Sequence, residues 1–336
     1  MRFLSSLLAF LLVALVAACS PKTTAGVTPS ARTNPAPAPA AAPATAPTAS
    51  NDFAPTLADT ALLWRISGNG LAQESFVFGT IHMIPTEDYF LPTGMVAALN
   101  DADKVVFEID PKAMEDPTVM MSLMSKINMR GDTSLQDLLP AEDYKIVSDY
   151  FTKLGLPMFM AGRMKPMFLS AMVGQDMESL QNGMTGENSS MKSYELEMSQ
   201  LAQKAGKPVD GLETIEFQLG LFDEIPYSAQ AKMLLKAVRG EAEGGEASGE
   251  LEKVVALYKR KAIAEMGNMV KDDDSGMADF EELLLTKRNR NWIPAMREMM
   301  PTGTKLFAVG AAHLGGDQGV IALLREAGYS VEPVYE

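Results

Sequence analysis

Two apolar runs near opposite ends of the chain carry the same order of parts. The first is Phe76-Val77-Phe78-Gly79-Thr80-Ile81-His82, and the second is Leu306-Phe307-Ala308-Val309-Gly310-Ala311-Ala312-His313. Short continuous runs of β-branched and aromatic residues predict buried strands. Each run closes on Gly-x-x-His, and the chain contains only these two histidines. A Gly at that position permits a sharp turn or a close backbone approach that a Cβ would block. The His is then delivered to the carboxyl end of its strand, the edge at which open α/β sheets hold ligands.

The pattern around each run extends the match. Leu62 to Ile66, a Gly68-Asn69-Gly70 turn and Ser75 to Ile81 predict a hairpin. After His82 come a loop with Pro85 and Pro92, a helix through Met95 and Leu99, and a strand over 104–110 closed by Pro111. Near the carboxyl end, a strand over 306–309 leads to a loop, a helix over 318–327 stopped by Gly328, and a strand over 329–334. Both units therefore read β, loop, α, β, a short structural repeat. Right-handed crossovers make each strand pair parallel.

From about residue 130 to 300 the apolar spacing is mainly helical, with helices predicted over 114–129, 141–154, 163–180 and 194–205. Lys207 to Thr214 reads as a short strand or a strand-like turn bearing an acid, and a helix runs through Phe217 and Leu221. Residues 240–246 are expected to form a solvated acidic loop. The fold class is α+β: a mixed sheet with two β-GxxH-α-β units from the two ends and a long helical middle.

Composition changes the picture at the amino end. Residues 1–18 read as a secretory leader, with Arg2, an apolar stretch from Leu7 to Val16 and small residues before Cys19. Val16-Ala17-Ala18-Cys19 resembles the bacterial lipobox, which makes Cys19 the expected lipidation site. Ser20 is not the acidic residue that retains lipoproteins at the inner membrane, so an outer-membrane lipoprotein facing the periplasm is expected. Cys19 is the only cysteine, which excludes an internal disulfide and cysteine nucleophile chemistry. Residues 19–55, rich in Pro, Ala and Thr, form a disordered tether to a folded domain over 56–336. A net charge of −14 argues against nucleic acid and against electrostatic docking on anionic lipid.

Two imidazoles and a carboxylate form a common catalytic metal set with a position open for water, and without a metal the same trio can do acid–base work. His82, His313 and Glu108 are the candidates. Asp110 lies on the same face of its strand as Glu108, and the two stay open as the partner carboxylate. Arg288 and Asn289 lie in a polar stretch, Arg288 to Trp292, in which an Arg fork can hold a carboxylate or an oxyanion and Asn can orient it. The competing reading is a basic helix face paired with Glu281 and Glu282. Asp272, Asp273 and Asp274 lack the rest of a calcium-loop pattern and read as a helix-end loop. The 24 methionines read mainly as core filling, with a Met-lined groove for an apolar or peptide ligand as the alternative. No P-loop, dinucleotide fingerprint, Gly-x-Ser-x-Gly elbow or His-Glu-x-x-His occurs.

Taken together, Leu63-Trp64-Arg65-Ile66, Phe78-Gly79-Thr80-Ile81-His82, Phe107-Glu108-Ile109-Asp110, Gly211-Leu212-Glu213-Thr214 with Gln218, Arg288-Asn289-x-x-Trp292 and Val309-Gly310-Ala311-Ala312-His313-Leu314-x-Gly316 resemble the TraB/GumN family. That family includes PrgY-type pheromone-shutdown proteins and is related to the Tiki metalloproteases. The resemblance spans about residues 57–336. It implies a metal-dependent peptidase-like hydrolase, with a divalent ion (Mn, Co or Zn) held by His82, His313 and Glu108 and a peptide or protein as substrate. It also implies Glu213 as a second acid and Arg288 as a stabiliser of an anion or transition state. Relatives of the erythromycin-esterase and ChaN type include hydrolases and a haem binder, so a non-catalytic protein that sequesters a peptide or a haem is the alternative. Lys165-Pro166-Met167 departs from the Trp that family members often carry after Lys-Pro, a difference expected to bear on the substrate groove.

Overall fold

Six strands form one mixed sheet in the order β6-β4-β7-β2-β1-β8. They are β1 Leu63–Ser67, β2 Ser75–Thr80, β4 Lys104–Ile109, β6 Val209–Glu213, β7 Lys305–Gly310 and β8 Ser330–Pro333. A second, two-stranded sheet pairs β3 Ile84–Pro85 with β5 Met191–Lys192. This computed structural model describes residues 53–174, 191–242, 246–269 and 280–335. The leader, Cys19, nearly all of the tether, the acid triplet at 272–274 and the predicted helical residues 175–180 lie outside the described residues.

Burial along each strand follows from its place in the sheet. β7 is buried at all six positions, as suits a strand between parallel neighbours with both faces covered. β4, on one side of β7, is buried everywhere after Lys104. β6 and β8, at the two edges, are half-buried or alternating. β1 and β2 form the predicted antiparallel hairpin, whose Gly68, Asn69 and Gly70 all take positive φ.

β2 runs parallel to β7, and β7 parallel to β4. Each predicted strand pair therefore shares a direction, but neither pair is adjacent. β7 lies between β2 and β4, and β2 and β1 lie between β7 and β8. The two units interlock, and this interlocking brings the two Gly-x-x-His segments side by side.

The principal helices are α1 Thr93–Asp101, α2 Pro117–Lys126, α3 Ala141–Lys153, α4 Pro166–Met172, α5 Tyr194–Lys204, α6 Ile215–Leu221, α7 Tyr227–Ala242, α8 Glu246–Lys259, α9 Lys287–Met299 and α10 Val320–Glu326. One core joins the sheet to helices that include α1, α5, α9 and α10 through Met95, Leu99, Tyr194, Met198, Trp292, Met296, Ile321 and Leu324. Two further cores lie in the helical middle. In one, Val147 and Phe151 of α3 pack with Leu169 of α4 and Leu234 and Val238 of α7, a helical-period stripe removed from water. In the other, Phe168 of α4 and Leu219 of α6 meet Ile109 at the end of β4, which ties the helical layer to the sheet.

The helical middle also contributes β6, an edge strand of the main sheet. Of the expected acidic loop, Gly240, Glu241 and Ala242 belong instead to α7 and Glu246 to α8, while residues 243–245 lie outside the described residues. Glu and Ala are strong helix formers, which suits Glu241, Ala242 and Glu246 to helix.

Candidate active site

The register places the two motifs at one edge. Gly79 pairs with Val309 and Thr80 with Gly310, while Phe107 of β4 pairs with Ala308 on the other side of β7. Both glycines are the strand residues themselves rather than residues past them. An added Cβ on Gly310 would lie 3.3 Å from Glu108 Oε1, 3.5 Å from His313 Cδ2 and 3.7 Å from His82 Nε2. His82, His313 and Glu108 thus meet around the Gly310 backbone, which must be bare for them to do so. At Gly79 a Cβ would stand 2.9 Å from Leu314 Cδ1 and 3.1 Å from the Ala311 backbone. Close approach, not turn geometry, explains both glycines. The segments beyond them differ: Ala311–His313 is a 3-10 turn, whereas His82 sits in an irregular connection into β3.

Glu108 is buried, and Oε1 accepts the Gly310 N–H at 2.8 Å. Its Oε2 accepts from Arg288 Nη2 and, at 3.3 Å, from Gln218 Nε2. Burial alone would raise its pKa. The Arg288 guanidinium beside it, with the Gly310 N–H, outweighs burial and holds the carboxyl well below the usual carboxylate range. Asp110 lies beyond the strand end, where it accepts the Lys112 N–H at 3.0 Å and caps the turn Pro111–Glu115. Glu108 is therefore the carboxylate that meets the imidazoles.

Arg288 is fully buried at the start of α9, directly after the π-helical turn Glu282–Thr286. Its Nε donates to Glu213 Oε1 at 3.0 Å, and Nη2 donates to Glu108 and, at 2.7 Å, to Glu213. Its Nη1 donates to the Leu284 carbonyl at 3.2 Å and lies 3.0 Å from His313 Nε2. A guanidinium has five N–H groups and no acceptor. All five are engaged, so none is left for a substrate anion in this arrangement. Glu213, at the end of β6, also accepts from Trp292 Nε1 at 2.9 Å and from Gln218 Nε2 at 3.1 Å.

These contacts fix the state of His313. Arg288 can only donate, so His313 Nε2 carries the lone pair and Nδ1 carries the proton. Nδ1 donates to Asn289 Oδ1 at 2.6 Å, and the Asn289 amide is oriented by donating to the Gln318 carbonyl at 2.8 Å. Burial, with the Arg288 charge beside it, pushes the His313 pKa down to about 3, and the ring packs 4.5 Å from Trp292, centroid to centroid. The imidazole is neutral.

A metal bound by the three predicted ligands does not fit this arrangement. The His313 lone pair is taken by Arg288, and Glu108 is held by Arg288 through one oxygen and by the Gly310 N–H through the other. Among the described residues no group of three or more His, Cys, Asp or Glu is placed to hold a metal ion. A guanidinium occupies the centre of the donor set.

His82 is different. It lines a cavity with Glu108, Glu195 and Gln218, walled by Phe107, Ile109 and Pro111. Its Nδ1 is 2.8 Å from Glu195 Oε1, within hydrogen-bonding distance of that carboxylate. Burial lowers the His82 pKa, but Glu195, and more weakly Glu108, outweigh it and raise the imidazole above its ordinary value. The same pairing holds Glu195 below its ordinary value against the effect of burial.

Glu195 is the residue that sequence reasoning missed. Ser193 caps α5, and an acid in the first turn after a cap reads as an ordinary partner of the helix dipole. Lys165, Pro166 and Met167 are buried, with Met167 in a helical core, and none of the three lines the cavity.

The chain is 22% identical over 324 residues to Metalloprotease TIKI2 of Danio rerio, covering 81% of this chain and 60% of that protein. It is 23% identical over 323 residues to Metalloprotease TIKI1 of Danio rerio, covering 81% of this chain and 63% of that protein. The Uncharacterized protein YbaP of Shigella flexneri is 22% identical over 253 residues, 75% of this chain and 88% of that protein. The chain thus spans about 60% of the length of the Tiki relatives. No solved structure matches it. The TraB/PrgY/gumN family pattern matches residues 62–333, the whole of the main sheet and both histidine motifs, and the chain belongs to that family.

Proposed function

We propose that this protein hydrolyses peptide or related amide bonds, with His82 as the group that moves the proton. One observation carries the reading: His82 reaches the cavity between two carboxylates, Glu195 at Nδ1 and Glu108 near Nε2. A water between His82 Nε2 and Glu108 Oε1 gives up a proton to the imidazole as it attacks a carbonyl carbon. The imidazolium formed is stabilised by the carboxylates on either side, then returns the proton to the leaving amine. Arg288 keeps Glu108 ionised and in place. The names of the Tiki relatives support a peptidase-like activity. No step is routed through a metal, because Arg288 already engages two of the three predicted ligands, His313 and Glu108.

The same proposal places the protein in a bacterial envelope, as an outer-membrane lipoprotein anchored through Cys19 and facing the periplasm. Among the described residues no helix is long and apolar enough to cross a membrane. Incorporation of labelled palmitate that is lost in Cys19→Ala checks the anchor.

The test of the activity is incubation of the full chain with a defined synthetic peptide library read by mass spectrometry, alone, with a chelator, and with Mn, Co or Zn. His82→Gln is expected to lower turnover by about 10²–10⁴-fold with unchanged circular dichroism. Equal cleavage by His82→Gln, or no cleavage by the wild type under any condition, overturns the reading.

A further inference from the structure

Both histidines of the Gly-x-x-His units are approached at Nδ1 by an oxygen from outside their own motif. For His313 it is Asn289 Oδ1 at 2.6 Å, and for His82 it is Glu195 Oε1 at 2.8 Å. Both Nε2 atoms then turn toward Gly310 and Glu108, and Arg288 covers that of His313.

We propose that Glu195 is the positioning residue that holds His82 as its Nδ1–H tautomer and so presents the Nε2 lone pair to the cavity. A carboxylate oxygen and a bare imidazole nitrogen cannot approach to 2.8 Å without a proton between them, because two lone pairs repel. Glu195 keeps its own place through three further features. Thr80 Oγ1, two residues before His82, donates to Oε1 at 2.6 Å, and Ser193 Oγ donates to Oε2 at 3.1 Å. The β3–β5 ladder, Ile84 with Lys192 and Pro85 with Met191, fastens the chain just after His82 to the chain just before Glu195. The Glu195 side chain is 5% exposed, so it answers to its protein partners and not to solvent. Arg288 covers His313 Nε2, whereas His82 lines the cavity with its Nε2 toward Gly310. This inference deepens the proposed hydrolysis and rests on it for its catalytic meaning, but its test needs no substrate.

The two histidines make the test direct. Long-range ¹H–¹⁵N correlation on the uniformly labelled full chain, in alkaline solution where both rings are neutral, reports which nitrogen of each ring is protonated. His82→Gln identifies the His82 pattern by its loss. The wild type is expected to show the Nδ1–H tautomer at both rings. Glu195→Gln, whose side-chain oxygen can still accept, retains it, whereas Glu195→Leu moves His82 to the Nε2–H form and leaves His313 unchanged. Should Glu195→Leu fail to fold, the wild-type and Glu195→Gln spectra decide alone. An Nε2–H pattern for His82 in the wild type, or an unchanged His82 in a folded Glu195→Leu, overturns the inference. If the tautomers are as expected and no peptide is cleaved, only the proposed hydrolysis falls.

Discussion

Nη1 of Arg288 lies 3.0 Å from Nε2 of His313, and this one contact ranks the two histidines. Because a guanidinium can only donate, the contact occupies the lone pair that would ligate a metal or accept a proton. His313 thus serves as an acceptor that seats Arg288, and Arg288 in turn neutralises Glu108 and Glu213.

Replacing Arg288 exposes the size of that dependence. Arg288→Met leaves two buried carboxylates without their cation, and removing one partner of a buried ion pair costs about 3–5 kcal/mol. Urea unfolding of the variant is expected to show a loss in that range; a loss under about 1 kcal/mol would contradict the arrangement described. The substitution also leaves Glu108, Glu213 and His313 Nε2 facing one vacated volume. Zinc or cobalt is expected to raise the melting temperature of Arg288→Met and to leave that of the wild type unmoved.

Acid stability follows from the same contact. His313 binds a proton in the unfolded chain at its ordinary value of 6.5 but in the fold only at about 3. The unfolded state therefore holds the extra proton between those values, and stability falls as pH drops from 6.5. Glu108, whose folded pKa is depressed, adds a second loss below its ordinary 4.5. His82 works the other way: its raised pKa gives stability that is complete below 6.5 and is lost as pH rises through the folded value. Denaturant midpoints measured across pH should peak near neutrality. His313→Gln, which keeps an acceptor for Arg288, should flatten the slope between pH 6.5 and 4.5; an unchanged slope there would mean another group sets it.

The two motif glycines should separate under Ala substitution. At Gly310 the new methyl lies 3.3 Å from a carboxylate oxygen and close to both imidazoles, so it disturbs the site while leaving the sheet paired. At Gly79 it meets Leu314 Cδ1 at 2.9 Å and the Ala311 backbone at 3.1 Å, where packing must shift. Overpacking of that kind costs about 1–3 kcal/mol. Gly79→Ala is expected to lower the melting temperature more than Gly310→Ala, and Gly310→Ala to displace the His82 ring resonances more than Gly79→Ala. The reverse order on either measurement contradicts this placement.

How far these relationships were legible depends on their range. The paired runs ending in Gly-x-x-His and the acid at the end of β4 are local patterns, and strand direction carries them to one edge. The order of the sheet is not local. Nothing near Gly310 announces that β7 inserts between β2 and β4, so the close approach that requires a bare Cα there is visible only in three dimensions. Arg288 stood out as a cation with two candidate roles, but complete engagement of its five N–H groups depends on Glu213, Glu108 and His313 arriving from three separate segments beside the local Leu284 carbonyl. Glu195 had no signal because a first-turn acid after a Ser cap has an adequate local explanation.

The buried pair Lys165 and Asp223 supplies a prediction about the helical layer, where the departure after Lys165-Pro166 suggested a substrate groove. Lys165 Nζ lies 2.9 Å from Asp223 Oδ1 with its side chain 1% exposed, and burial lowers its pKa despite that partner. The two members are not equally supported. Asp223 also accepts from Tyr227 Oη at 2.6 Å and pairs with Arg130 at 3.1 Å, while Lys165 has, besides Asp223, a 3.4 Å contact to the Leu219 carbonyl. Removing Lys165 leaves a carboxylate with two partners, so Lys165→Met is expected to cost about 1–2 kcal/mol, in the range of one hydrogen bond to a charged group. Removing Asp223 leaves a buried ammonium with a single weak acceptor, so Asp223→Leu is expected to cost about 3–5 kcal/mol. Urea unfolding of the two single variants and the double variant measures the asymmetry. Because the double variant removes both charges, it should be more stable than Asp223→Leu alone, and a double variant less stable than either single one would show that the pair does not act as a unit.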